Sequence, residues 1–188
     1  MRRLSRYILV LGIASAAPFA ATGQPVTPGE EGELASFLPP EEGARICYRR
    51  AYSPEHLAKH PDQTVTEVEF RLAYYRHDAD EFYPQGQRNY YFAMLAKRRG
   101  GDRTLTAFGE CVPGSKGISC GIDCDGGGVH LTRRPADKVL LDLTGYGRIR
   151  MSEGCDEADA VELEPGKDDR EFLLSKIEDS ACPAYDDW

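Results

Sequence analysis

The stretch from Cys111 to Leu131 constrains this chain more than any other. It reads Cys-Val-Pro-Gly-Ser-Lys-Gly-Ile-Ser-Cys-Gly-Ile-Asp-Cys-Asp-Gly-Gly-Gly-Val-His-Leu, and it holds three of the six cysteines together with six glycines. Glycine tolerates positive φ and close backbone approach, so the run reads as two tight turns around one short strand. The turn at Asp125, Gly126, Gly127 and Gly128 is read as structural. It has no Lys or Ser/Thr behind it to make a phosphate loop, and no later ligands or closing Glu to make a calcium loop. Cysteines at the edges of such turns read as covalent staples wherever the compartment is oxidising.

The start of the chain argues for such a compartment. Residues 1–23 read as a signal peptide. Arg2, Arg3 and Arg6 form a positive head, an apolar run begins at Tyr7, and small residues follow up to Gly23. Cleavage fits after Gly23, with Ala16 as the alternative. The apolar run is too short, and too broken by Pro18, to span a membrane. No cysteine precedes Cys47 to accept a lipid. The expected location is periplasmic or secreted, without a membrane anchor. Losing the three leader arginines takes the net charge from −8 to −11. That balance disfavours nucleic acid and anionic membranes as partners, and it suits a soluble monomer or a basic protein partner.

All six cysteines (Cys47, Cys111, Cys120, Cys124, Cys155, Cys182) lie beyond the leader. An even count in an exported chain implies a disulfide framework, with about fifteen connectivities to choose from. Zinc is the rival reading, but Cys120-x-x-x-Cys124 has no second close ligand pair. The expected pairs are Cys47–Cys182, tying the two ends together, Cys111–Cys120 across one hairpin, and Cys124–Cys155 as the remainder. The first would close a loop long enough to stabilise by roughly 4–5 kcal/mol if unstrained.

Residues 24–44, rich in proline and acid, read as a flexible linker with at most one anchoring turn at Leu34–Leu38. Residues 45–188 read as a single β domain. One short helix is expected near residues 54–60, with Ser53 as N-cap, Pro54 at the first position and Pro61 as the stop. From Val65 to Tyr75 apolar and polar residues alternate, as in a half-buried strand. Asn89–Lys97 is apolar on both faces, so it reads as a central or doubly covered strand. Shorter β-patterned segments follow at Thr104–Cys111, Ile118–Cys124, Val129–Arg133, Lys138–Leu143, Arg148–Met151, Val161–Glu164 and Glu171–Ile177. The last could equally form a short helix. Roughly eight short strands joined by tight turns make an all-β fold. The short loops favour a small antiparallel up-and-down barrel, with a two-sheet sandwich as the alternative. No family motif accompanies the pattern.

Few features carry chemistry. His56 and His60 share one face of the expected helix and could bind one metal ion, with His77 or Asp62 as third ligand. The metalloprotease pattern is absent, because Leu57 stands where its Glu belongs. Two exposed histidines on a short helix are the rival reading. Tyrosines crowd the central third, and Tyr74, Tyr90 and Phe92 are candidate ligand-lining residues if the barrel is hollow. His130 lies opposite Val129 and Leu131, either wet or lining the barrel. The acids Asp156, Glu157, Asp159, Glu162 and Glu164 form a candidate cation or protein patch. No serine or free cysteine has a nucleophile setting, and no cofactor is expected. The chain thus reads as an exported, non-catalytic binding module, taking a small apolar ligand inside the barrel or a basic protein on its acidic surface. Two alternatives are an inhibitor of an extracytoplasmic hydrolase, such as a lysozyme or protease, and a metal-binding protein or metal-dependent enzyme using His56 and His60.

Overall fold

A computed structural model describes residues 25–152 and 160–188. The expected leader and the acids from Asp156 to Asp159 lie outside these residues, as does Cys155. Ten strands form: β1 (Arg45–Ala51), β2 (Val65–His77), β3 (Gln87–Arg98), β4 (Thr104–Gly114), β5 (Gly117–Gly121), β6 (Gly128–Arg134), β7 (Lys138–Asp142), β8 (Ile149–Met151), β9 (Val161–Leu163) and β10 (Glu171–Lys176). Two short α-helices join them, α1 (Glu33–Phe37) and α2 (Pro54–Lys59). Strands β1 to β7 run antiparallel in chain order, and β10 closes the ring between β7 and β1. The fold is therefore a closed eight-strand up-and-down barrel rather than a sandwich.

Period-two alternation decides which side chains fill it. Val68, Phe70, Leu72 and Tyr74 of β2 point inward. They meet Tyr90, Phe92, Met94 and Ala96 of β3, and all are buried. Leu131, Leu141, Phe172 and Leu174 complete the far wall, each without solvent exposure. A barrel of eight strands is about wide enough for its own side chains to fill.

Three features depart from the sequence reading. β1 is a full barrel strand, hidden in the sequence because three arginines interrupt its apolar alternation. Strands β8 and β9 are real but stay out of the barrel. They pair with each other and fold back over the outer wall, bridged at Thr106–Ser152 and Gly127–Ile149. The third concerns the segment 24–44, where the anchoring turn expected at Leu34–Leu38 forms as α1 and its C-cap and holds more of the segment than a linker reading implies. From Pro25 onward this segment is docked, and α1 drops Leu34, Phe37 and Leu38 into the open end of the barrel, where all three are buried. The Tyr90 hydroxyl donates to the Leu38 carbonyl at 3.2 Å, and Arg133 donates to the Ser36 carbonyl.

The opposite end is closed by a buried acid. Asp169, 2 % exposed, accepts from the backbone N–H and the hydroxyl of Thr64, both at 2.6 Å, and from the Val65 N–H at 3.2 Å. A buried carboxylate is tolerable only when so engaged. Nearby α2 forms as its caps dictate, with the Ser53 hydroxyl accepting from the His56 N–H.

The staples sit where the sheet needs them. β1 runs beside β2 from Arg45 to Ala51 but meets β10 over a shorter length, pairing Tyr48 with Lys176 and Arg49 with Ser175, with the Ile177 N–H donating to the Cys47 carbonyl just beyond. Cys47–Cys182 crosses beside this thin closing seam, and Cys111–Cys120 links β4 to β5, with Cα atoms 5.5 and 4.0 Å apart. Cys124 is exposed and carries no disulfide among the described residues. Two such bonds point to an oxidising, extracytoplasmic environment. Among the described residues no helix is long and apolar enough to cross a membrane.

Candidate functional site

Tyr74, Tyr90 and Phe92 belong to the packed interior. Phe92 stacks on Phe70 with ring centres 5.6 Å apart, and Tyr74 meets Tyr90 edge-on at 5.4 Å. The strand period sends them to the core face, and the α1 plug covers Tyr90 from above. They fill the space that a hollow barrel would leave for a ligand.

His56 and His60 do share one face of α2. Their rings stack at 4.3 Å, His56 shares a 3.0 Å hydrogen bond with the Gln63 side chain, and His60 lies 3.7 Å from Asp168. The two suggested third ligands are corrected by the structure. Asp62 accepts from Lys167 at 2.6 Å. His77 closes the far end of β2, and a strand of that length spans roughly 40 Å; there it shares a 2.6 Å hydrogen bond with the Tyr91 hydroxyl. Among the described residues no group of three or more His, Cys, Asp or Glu side chains is placed to hold one ion.

The glycine turn is shaped by backbone. Gly127 adopts φ +71, and a Cβ there would strike the Arg148 carbonyl oxygen. A Cβ on Gly128 would strike the carbonyl of Cys120. His130 lies on the outer face, opposite Ser119 in the β5–β6 register, with its Nδ1 and the Ser119 hydroxyl sharing a 2.9 Å hydrogen bond. Tyr146 stacks on the imidazole at 4.8 Å. This trio fastens the 143–147 loop to the wall. Ser119 and His130 are eleven residues apart, so only the register reveals them as partners.

The outside of β2, β3 and β4 is where apolar surface concentrates. The outward residues Ala93 and Leu95 make β3 apolar on both faces, and the structure shows what covers the second face. Beyond Cys182 the chain turns across the wall, placing Tyr185 over Tyr91 with ring centres 5.1 Å apart and Trp188 edge-on to Phe108 at 6.4 Å. Beside this strap runs a groove of about 550 Å³, within the usual range of ligand sites, about 300–1,000 Å³. Its floor is Ala93, Leu95 and Phe108, and Ile122, Met151 and Trp188 form its sides. The β8–β9 ribbon makes one bank and the C-terminal strap the other. Phe108 remains 46 % exposed.

Next to the groove lies a half-buried polar cluster. Asn89 donates to Glu110 at 3.1 Å, and Tyr91 lies between Glu110 and His77. Burial pushes the Glu110 carboxyl above the ordinary range; the Asn89 hydrogen bond opposes this and Asp123 adds to it. Burial, then the neighbouring Glu110 charge, pushes the Tyr91 hydroxyl up. Asn89 is 2 % exposed, and its Oδ1 has no hydrogen-bond partner among the described residues.

Comparison with protein-family models, with curated proteins and with solved structures returned no match.

Proposed function

We propose that the protein is an exported, non-catalytic binding module that recognises its ligand on the outside of the barrel. The observation that carries this reading is the contrast between a filled interior and an apolar external groove. The strand period sends Phe70, Phe92, Leu131 and Phe172 inward until the core is full. The spare apolar surface then falls on the outer face of β3 and β4. Solvent-facing apolar ground of this kind marks interaction sites. The leader-like start of the sequence and the two disulfides support a location in the periplasm or outside the cell.

The test uses Nile red, a neutral apolar dye, and the emission of Trp188, the single tryptophan of the chain. Dye binding should quench Trp188, and Leu95→Asp should weaken that binding at least about tenfold while the far-ultraviolet circular dichroism stays unchanged. Equal binding by Leu95→Asp would remove the groove as the site.

A second reading, inhibition of a basic extracytoplasmic hydrolase, is favoured by the loop between β2 and β3. Phe82 is 78 % exposed and Tyr83 is 40 % exposed. Asp80 holds both in place, its carboxylate accepting from the Phe82 N–H at 2.8 Å and the Tyr83 N–H at 2.6 Å. A preorganised aromatic flanked by Asp78, Asp80 and Glu81 suits an apolar cleft with a basic rim. Inhibition of a lysozyme that weakens with salt and is lost in Phe82→Ala would support it. Absence of inhibition across a panel of basic lysozymes and proteases would count against it.

A further inference from the structure

We propose that the strap, residues 183–188, is a displaceable cover hinged at Cys182, and that the ligand which lifts it is an apolar molecule long enough to reach Tyr91; this rests on the reading of the groove as the binding site. The outward row of β3 runs Leu95, Ala93, Tyr91, with successive members about 6.8 Å apart. Leu95 and Ala93 floor the groove. Tyr91, the next in the row, lies under Tyr185. The groove therefore stops where the strap begins, and the row continues beneath it. From Leu95 to Tyr91 the span is about 14 Å.

What holds the chain differs on the two sides of Cys182. Up to that residue it is pinned: Cys182 is bonded to Cys47, and its carbonyl accepts from the Arg45 Nε at 2.9 Å. Beyond it, among the described residues, the hydrogen bonds of the strap close on the strap itself. The Asp187 N–H donates to the Ala184 carbonyl, the Trp188 N–H to the Tyr185 carbonyl and the Trp188 indole to the Pro183 carbonyl. These bonds persist if the strap moves as a unit. Its hold on the wall is by rings: Tyr185 meets Tyr75 at 4.9 Å and Tyr91 at 5.1 Å, and Trp188 meets Phe108 at 6.4 Å. Tyr185 and Trp188 stay only partly buried. A ring pair favours contact by a factor of roughly 2 to 12 beyond its buried area, so the two closest pairs hold the strap down by a factor of roughly 5 to 150. A ligand that needs the open form loses that factor in apparent affinity. A long apolar ligand offers Tyr91 another partner, and one that ends on Ala93 does not.

Trp188 reports the opening. Acrylamide quenching of its emission is measured with octanol or dodecanol bound, each within its solubility; dodecanol outreaches the span from Leu95 to Tyr91 and octanol falls short of it. Dodecanol should raise the Stern–Volmer constant at least about twofold by lifting the strap, whereas octanol should leave it unchanged or lower it. Tyr185→Ala should tighten dodecanol binding about tenfold, inside the range set by the two ring pairs, and leave octanol binding as it was. Thermal melting verifies that this variant folds, and the quenching comparison needs only the wild-type chain. A constant unchanged or lowered by dodecanol, or raised equally by octanol, would overturn the cover. So would a folded Tyr185→Ala that binds dodecanol no tighter than the wild type. Either result leaves the groove reading standing as long as Leu95→Asp weakens the binding. If Leu95→Asp changes neither Nile red nor dodecanol binding, both readings fall together.

Discussion

At Gly127 the backbone sits in the left-handed region, and the space beside it belongs to the Arg148 carbonyl. Gly127→Ala should therefore lower stability by at least about 1–2 kcal/mol, seen as a shifted urea midpoint. Full tolerance would mean the turn is held by something other than its backbone. Glu110 is the residue through which pH enters. Its folded pKa lies above the unfolded one, so between them the native state binds more protons than the unfolded chain. Stability from this group is greatest below the unfolded value, about 4.3, and is lost as pH rises through the folded one. Glu110→Gln should remove that loss, making the variant the more stable of the two above the window and flattening the difference below it. Chemical denaturation at pH 4 and pH 8 checks the sign. The glycine requirement was legible in the sequence, since only backbone chemistry explains three consecutive glycines. The Glu110 shift was not, because it arises chiefly from burial under segments distant in the chain, with Asn89 opposing it and Asp123 adding to it.

Among the elements, α1 shows most clearly how a weak local signal becomes a firm structural role. Five helical residues cannot stabilise themselves, and the surrounding proline and acid read as a linker. What holds them is burial. Leu34→Ala should cost about 2–5 kcal/mol by emptying the barrel's end, while Glu33→Ala, on the exposed side, should change little. Thermal melts of the two variants make the comparison, and equal melting temperatures would deny α1 its role as a plug. Strand β3 carried a truer signal. Its apolar outer residues announced a second covering layer, and the strap and groove are that layer. The strap itself was illegible, because Tyr185 and Trp188 gain meaning only from stacking on rings that lie far away in the chain.

For the whole molecule the weak point is the seam where the last barrel strand meets the first. Two residue pairs and one further backbone hydrogen bond, from Ile177 to the Cys47 carbonyl, join β1 to the last barrel strand and its end, and the covalent bond beside them restrains both termini. Replacing Cys47 and Cys182 together by serine should destabilise the protein by several kcal/mol, roughly 4–5 at most. The corresponding change at Cys111 and Cys120, which closes a short hairpin loop, should cost less, about 3 kcal/mol. Urea denaturation of the two double variants tests the order. If the hairpin bond proves the more important, the seam is stronger than its pairing suggests.

The sequence alone determined the alternation of the strands and the tight turns between them, and it made Cys47–Cys182 and Cys111–Cys120 expected pairs that the structure then established. Each follows from short-range rules or from simple closure of a ring. Only the tertiary structure decided that the barrel is full, that 25–44 plugs it, that β8 and β9 lie outside, and that the groove is on the wall. Those outcomes depend on volume. Whether eight strands enclose a ligand or merely their own side chains is settled by how far the inward residues reach across the ring, and periodicity carries no record of that distance.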